Sequence, residues 1–174
     1  MKEKLRAGSW LRGLIVLLAL LFFAGSGSFL YGKLSGDPLP EFLGWSQAVV
    51  MSGSMEPEIP VGALVLIREQ SSYTSGDVVV YEDDAGNLIT HRLLRMEDGK
   101  AVTKGDANNV EDEPIETEQI LGKVRAVLPG AGDTVLFFRT PMGMGIVLCA
   151  AVLLIFAPGQ WKARKEERDD GTKK

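Results

Sequence analysis

Three short stretches carry residue types that could do chemistry together. The first is Met51-Ser52-Gly53-Ser54-Met55-Glu56-Pro57, directly after the apolar run Ala48-Val49-Val50. Glycine between two serines permits a tight backbone path and close approach of a substrate. A serine hydroxyl becomes a nucleophile only when a base takes its proton. The second stretch holds the sole histidine, His91, in the apolar, strand-like segment Leu88-Ile89-Thr90-His91-Arg92-Leu93-Leu94. An imidazole titrating near pH 6.5 suits a general base at neutral pH. The third is the polar run from Thr103 through Lys104, Gly105, Asp106, Ala107, Asn108, Asn109 and Val110 to Glu111 and Asp112. A buried aspartate there could fix a histidine's tautomer and stabilise its cation.

Each stretch also has an ordinary structural reading. Ser52 to Ser54 could be a Ser/Gly turn between strands. His91 could be a packed, hydrogen-bonded histidine. The two aspartates could belong to an Asx-rich turn, although the spacing is not that of a calcium loop. Lys100 and Lys104 are alternative bases, but a catalytic lysine needs desolvation to lose its proton. Lys100 sits in a turn, and Lys104 stands beside Gly105-Asp106. Spacing alone does not bring the three stretches together.

Taken in order, Ser52-Gly53-Ser54-Met55-Glu56-Pro57, Thr90-His91-Arg92 and Lys104-Gly105-Asp106 ending at Asp112 resemble the type I signal peptidases. The resemblance is to the archaeal and endoplasmic-reticulum branch, which carries histidine where bacterial relatives have lysine. It covers roughly residues 45 to 140. It implies that Ser54 attacks the scissile carbonyl and that His91 is general base and then general acid. It implies that Asp112 orients His91 and that Asp106 supports the site nearby. It also implies an oxyanion hole built from the Ser52 hydroxyl and the Ser54 backbone N–H. The sequence departs from the family at Ala107, where members commonly pass straight from aspartate to asparagines. The implied substrate is a preprotein signal peptide, cut after small residues and bound as an added strand. Val49, Val50 and the strand near Val78 are candidate pocket residues. Related alternatives are a peptidase dedicated to one precursor and a catalytically inactive, membrane-anchored β module.

The elements that must hold these residues fall into a segregated pattern along the 174-residue chain. Long apolar runs sit at the two ends. Residues 13–32 are uncharged and long enough for a transmembrane helix, behind a basic tail over residues 1–12. A cleavable signal peptide would share the basic start and the small residues Ala24, Gly25 and Ser26. The apolar character resumes at Phe29-Leu30-Tyr31, which suits a retained span. A second span is expected over residues 138–158, with Val135 to Phe138 leading in and Arg139 interrupting the lead-in. A charged tail follows over residues 159–174.

Both tails are basic near these runs, which places both ends in the cytoplasm and residues 33–137 outside. Between Asp37 and Asp133 stand 18 Asp and Glu against 7 Lys and Arg. That balance, in a chain of net charge −4, gives no basic track for nucleic acid. One histidine and one cysteine, Cys149, make no metal-ligand set and no internal disulfide, and no cofactor is expected. The expected partners are signal peptides and the lipid bilayer; complex subunits are not readable.

Strand signals fill the middle: 63–67, 78–81, 88–94, 101–103 and 120–128. Turn signals Ser75-Gly76-Asp77, Asp84-Ala85-Gly86-Asn87, Glu97-Asp98-Gly99-Lys100 and Leu128-Pro129-Gly130 separate them. The expected fold is mainly β, an antiparallel sheet or partly open β-barrel between two transmembrane helices.

Overall fold

The structure is a computed structural model that describes residues 2–154. The expected tail 159–174 and the last residues of the expected span 138–158 lie outside the described residues, as do the side chains of residues 1–12 and of Lys33. The chain divides into two compact units. Among the described residues, one comprises 2–26 with 137–154, the other 27–136.

Helix α1 runs Lys2–Ser35. Its stretch Gly13–Gly32 has a mean hydropathy of 2.3 over 20 residues and is the one continuous helix, among the described residues, long and apolar enough to cross a membrane. Leu14, Leu17, Leu18, Leu20 and Leu21 are all exposed. Consecutive apolar positions leave no polar stripe, so the helix has no face suited to water. The helix stops at Gly36, whose φ is +79°. The Asp37 N–H reaches back to the Gly32 carbonyl at 2.9 Å. A left-handed glycine with that backward bond is a Schellman-type stop.

Eight strands follow: β1 (Glu41–Phe42), β2 (Trp45–Val49), β3 (Leu64–Arg68), β4 (Val78–Glu82), β5 (Leu88–Glu97), β6 (Lys100–Lys104), β7 (Ile115–Glu116) and β8 (Ile120–Leu128). A single 3₁₀ turn, Thr117–Gln119, links the last two. They form one antiparallel sheet in the order β1-β2-β3-β8-β4-β5-β6-β7. The end strands β1 and β7 do not pair with each other, so the sheet is open.

Alternation along β4 explains how one sheet supports two cores. Val80 packs with Val50, Met55, Ile59, Ala63, Val65 and Ile67 on one face. Val79 and Tyr81 pack with Leu93, Ala101 and Ile120 on the other. Bulges interrupt the β3–β8, β4–β8 and β5–β6 pairings. Such bulges bend strands and re-aim side chains.

The second apolar run is not one straight helix through Val135 to Phe138. Helix α2 (Gly132–Arg139) and helix α3, described over Pro141–Leu154, meet at a bend of 82°. The cause is Thr140-Pro141. Proline lacks the N–H that would continue the ladder, and it disfavours helical backbone at the residue before it. Thr140 instead caps the new helix, its Oγ1 accepting from the Gly143 N–H at 3.1 Å. Pro141 takes the first helical position, where a missing donor costs nothing.

Candidate active site

Ser54 sits in a compact turn over residues 52–59 that leaves β2 and returns toward β3. The chain enters and leaves through paired backbone bonds: Val50 N–H to Ala63 O at 2.9 Å and Gly62 N–H to Val50 O at 2.8 Å. Within it, Glu56 N–H bonds Gly53 O and Ile59 N–H bonds Met55 O. Met55 and Ile59 are 0% and 1% exposed and drive the turn into the core. Burying each contributes roughly 1.5–3 kcal/mol. With its neighbour Met55 anchored below, Ser54 is left half-buried and Ser52 exposed.

The Ser54 Oγ lies 3.3 Å from the Ser52 Oγ. The Ser54 amide has no protein acceptor among the described residues, and none of the hydrogen bonds there joins Ser54 to His91. The Ser54 carbonyl is held by the loop after β6, accepting from the Ala107 N–H at 2.9 Å. That approach needs Gly105. A Cβ there would stand 2.7 Å from the Ser54 carbonyl oxygen and 2.8 Å from Asn108 Nδ2. Ala107 acts here through its backbone, which explains how an alanine serves at a position that resembles an asparagine site.

His91 lies in β5 opposite Val79, with its side chain 9% exposed. Its Nδ1 is 2.6 Å from Asp112 Oδ2. Asp112 reaches it because the loop folds back on β6, the Asp112 N–H bonding Thr103 O at 2.9 Å. The same carboxylate oxygen accepts from Thr103 Oγ1 at 2.7 Å and Tyr81 Oη at 3.3 Å. Burial pushes the Tyr81 phenol up to about 12, and the nearby Asp112 charge adds to the rise. Tyr81 is therefore a neutral donor in the physiological range.

Asp106 is elsewhere. It forms a two-pronged pair with Arg92, at 2.8 Å from Nε and 2.6 Å from Nη2, and Arg92 also donates to the Gly76 carbonyl at 3.0 Å. Arg92 follows His91 in β5, and Asp106 sits between Gly105 and Ala107. The pair thus ties the loop that holds Ser54 to the strand that holds His91. Neither lysine alternative fits the geometry of a base. Lys100 is paired with Glu116 at 2.8 Å, and the Glu116 hydrogen bond and charge raise its pKa. Lys104 follows Thr103 and so points to the opposite face of β6.

Sequence reasoning passed over Arg92, Thr103 and Tyr81 as site residues. The signal was faint but present for Thr103: a polar residue inside the otherwise apolar Ala101-Val102-Thr103, and 0% exposed. A hydroxyl buried in that way needs a partner.

A serine-bearing turn locked to the loop of an imidazole–carboxylate pair, on an open antiparallel sheet, has the parts of a serine peptidase. Comparison with known proteins gives the same class. Residues 47–125 match the family described as Peptidase S24-like. The chain is 32% identical over 115 residues to signal peptidase I W of Bacillus subtilis (strain 168), covering 62% of this chain and 56% of that protein. It is 36% identical over 99 residues to the signal peptidase complex catalytic subunit of Clavispora lusitaniae, covering 48% of this chain and 60% of that one. These matches span less than two thirds of either relative. The corresponding subunit of Metarhizium acridum is 32% identical over 124 residues, which cover 62% of this chain and 72% of the relative. The chain belongs to the type I signal peptidase family, on the branch of these eukaryotic catalytic subunits.

Proposed function

We propose that this chain is a membrane-anchored serine endopeptidase that removes signal peptides from exported preproteins. The observation that carries the proposal is the His91–Asp112 pair at 2.6 Å beside a loop that also grips the Ser54 carbonyl. An ionised carboxylate on Nδ1 requires the proton there, which leaves Nε2 as the acceptor. Nε2 would take the Ser54 proton as Oγ attacks the scissile carbonyl, then return it to the leaving amine. Asp112 would stabilise the imidazolium formed between those steps. The Ser54 N–H, which lacks a protein acceptor among the described residues, and the Ser52 hydroxyl would receive the oxyanion. Asp106 serves through Arg92, by setting the loop against β5. No step calls for a metal or organic cofactor.

The same proposal places Gly13–Gly32 across the membrane and α3 as a second span, with both ends cytoplasmic and the sheet domain outside. Its supports are the basic flanks and the uncharged run from Pro141 to Ala157 in the sequence. The described part of α3, Pro141–Leu154, would rise about 21 Å of the roughly 30 Å of a hydrocarbon core. A domain tethered at the surface meets emerging signal peptides at high effective concentration. Some of the relatives are named as catalytic subunits of a signal peptidase complex; partner subunits for this chain would be sought by gentle detergent extraction and copurification.

The test is cleavage of a labelled preprotein with an Ala-x-Ala site by the purified full chain in lipid. Release of the mature N-terminus at that site supports the proposal. A folded protein that leaves the preprotein intact overturns it in favour of a dedicated-precursor peptidase or an inactive β module.

A further inference from the structure

Asp112 is gripped from both strands that flank His91. Tyr81 stands on β4 and Thr103 on β6, the two neighbours of β5. In register, His91 faces Val79, Tyr81 faces Ile89 and Leu93 faces Thr103, so Tyr81, His91 and Thr103 share one face of the sheet. All three side chains converge on Asp112 Oδ2, at 2.6 Å from His91 Nδ1, 2.7 Å from Thr103 Oγ1 and 3.3 Å from Tyr81 Oη.

The protons can be assigned. Thr103 has one hydroxyl proton and two acceptors within range, Asp112 at 2.7 Å and the Tyr81 oxygen at 3.4 Å. The shorter, charged contact takes it. Tyr81 then also turns its proton to Asp112. Both residues are buried, Thr103 at 0% and Tyr81 at 4% exposure. Valine would fill the Thr103 position in a buried strand with the same shape. The hydroxyl therefore does something valine would not.

We propose that Thr103 and Tyr81 are positioning residues for His91: by directing two protons at one oxygen of Asp112 they fix that carboxylate's orientation, hold His91 in the tautomer protonated on Nδ1, and leave Nε2 to accept from Ser54. The inference rests on the peptidase reading for its catalytic consequence, but its structural claim can be tested without it. Loss of the Thr103 hydroxyl removes a hydrogen bond to a charged acceptor and frees the carboxylate to turn. Such bonds correspond to about a tenfold to hundredfold rate effect when felt in the transition state. The Tyr81 contact is longer, and its loss costs about threefold.

His91 is the only histidine in the chain, so imidazole nitrogen NMR of the full-length protein in micelles reports this site alone. The variants are Thr103→Val, Thr103→Ser and Tyr81→Phe, with preprotein cleavage measured on the same samples. At a pH where the imidazole is neutral, the parent is expected to show the Nδ1-protonated tautomer. Thr103→Val is expected to move population to the Nε2-protonated tautomer and lower kcat about tenfold or more, with KM within about twofold. Thr103→Ser restores both. A parental tautomer and kcat in Thr103→Val would overturn the inference, and so would a serine variant as impaired as the valine one, since packing would then be the cause. If Thr103→Val does not fold, Tyr81→Phe with an unchanged tautomer population and kcat refutes it equally. A parent that shows the tautomer shift on substitution but cleaves no preprotein leaves the positioning intact and removes the peptidase reading; cleavage with no shift removes the positioning alone.

Discussion

Replacing Asp112 with asparagine keeps the size of the side chain and removes its charge. In the proposed mechanism the His91 imidazole becomes a cation as Ser54 gives up its proton, and the carboxylate stands 2.6 Å from Nδ1. Charge centres about 4 Å apart interact by about 4 kcal/mol at the effective dielectric of a partly buried protein site. The Asp112 side chain is 21% exposed, which makes that intermediate dielectric the suitable one. Losing the whole of that term slows the chemical step roughly a thousandfold. Asp106→Asn is the control. Its pair with Arg92 is partly exposed on both sides, so it is worth about 1 kcal/mol or less. The reacting groups keep their partners, and the expected loss is about fivefold. The assay is single-turnover cleavage of a saturating labelled preprotein in lipid, with thermal unfolding of both variants alongside. Equal losses in the two variants, or a deeper loss in Asp106→Asn, would refute the assignment of Asp112 to His91 and of Asp106 to Arg92.

Gly105→Ala places a methyl 2.7 Å from the Ser54 carbonyl oxygen; the loop must shift, destabilising the domain by about 1–3 kcal/mol and lowering cleavage more than Tm, as paired activity and melting measurements will register. On the proposed mechanism Ser52→Ala removes one oxyanion donor without touching His91, and kcat is expected to fall about a hundredfold to a thousandfold while substrate binding holds. The ion pair between Lys123 and Asp77 sets an acid limit on stability. Burial by itself would raise the Asp77 carboxyl, but the Lys123 hydrogen bond, the Thr74 amide and the Lys123 charge outweigh it and hold the carboxyl below its usual range. A depressed carboxylate stabilises the fold above about pH 4, the unfolded value, and that contribution disappears as pH falls through the folded one. Tm of Lys123→Met should therefore lie below the parent's near neutrality, with the gap narrowing below about pH 4; a gap that is constant or widens contradicts the pairing.

Much of the sheet could be read from the sequence because β-branched runs bounded by Gly, Asp and Asn carry a strong local signal. Strands β3, β4, β5, β6 and β8 fall where those runs stand. The two-residue strands β1 and β7 have no room for a pattern, and β2, with Trp45, Ser46 and Gln47, mixes polar and apolar without a bounding turn of the usual kind. The lead-in Val135 to Phe138 reads together with the uncharged run from Pro141 across the interruption at Arg139, since hydropathy carries no information on helix direction. Only the stereochemistry of Thr140-Pro141 reveals the bend. At the site, residue types pointed to Ser54 and His91, but the choice between two aspartates depends on a loop closure, the Asp112 N–H on the Thr103 carbonyl, which no spacing encodes. Thr103 and Tyr81 are ordinary strand formers in sequence; only the register of three neighbouring strands places them on one carboxylate oxygen.

The central claim is that Ser54 opens the peptide bond. The most direct measurement compares the parent with Ser54→Ala on one preprotein in lipid vesicles, with product masses locating the cut and melting curves confirming that both proteins are folded. Cleavage after the Ala-x-Ala site by the parent, and none by Ser54→Ala, is the predicted result. Equal cleavage by the two proteins would contradict it and remove Ser54 from the mechanism.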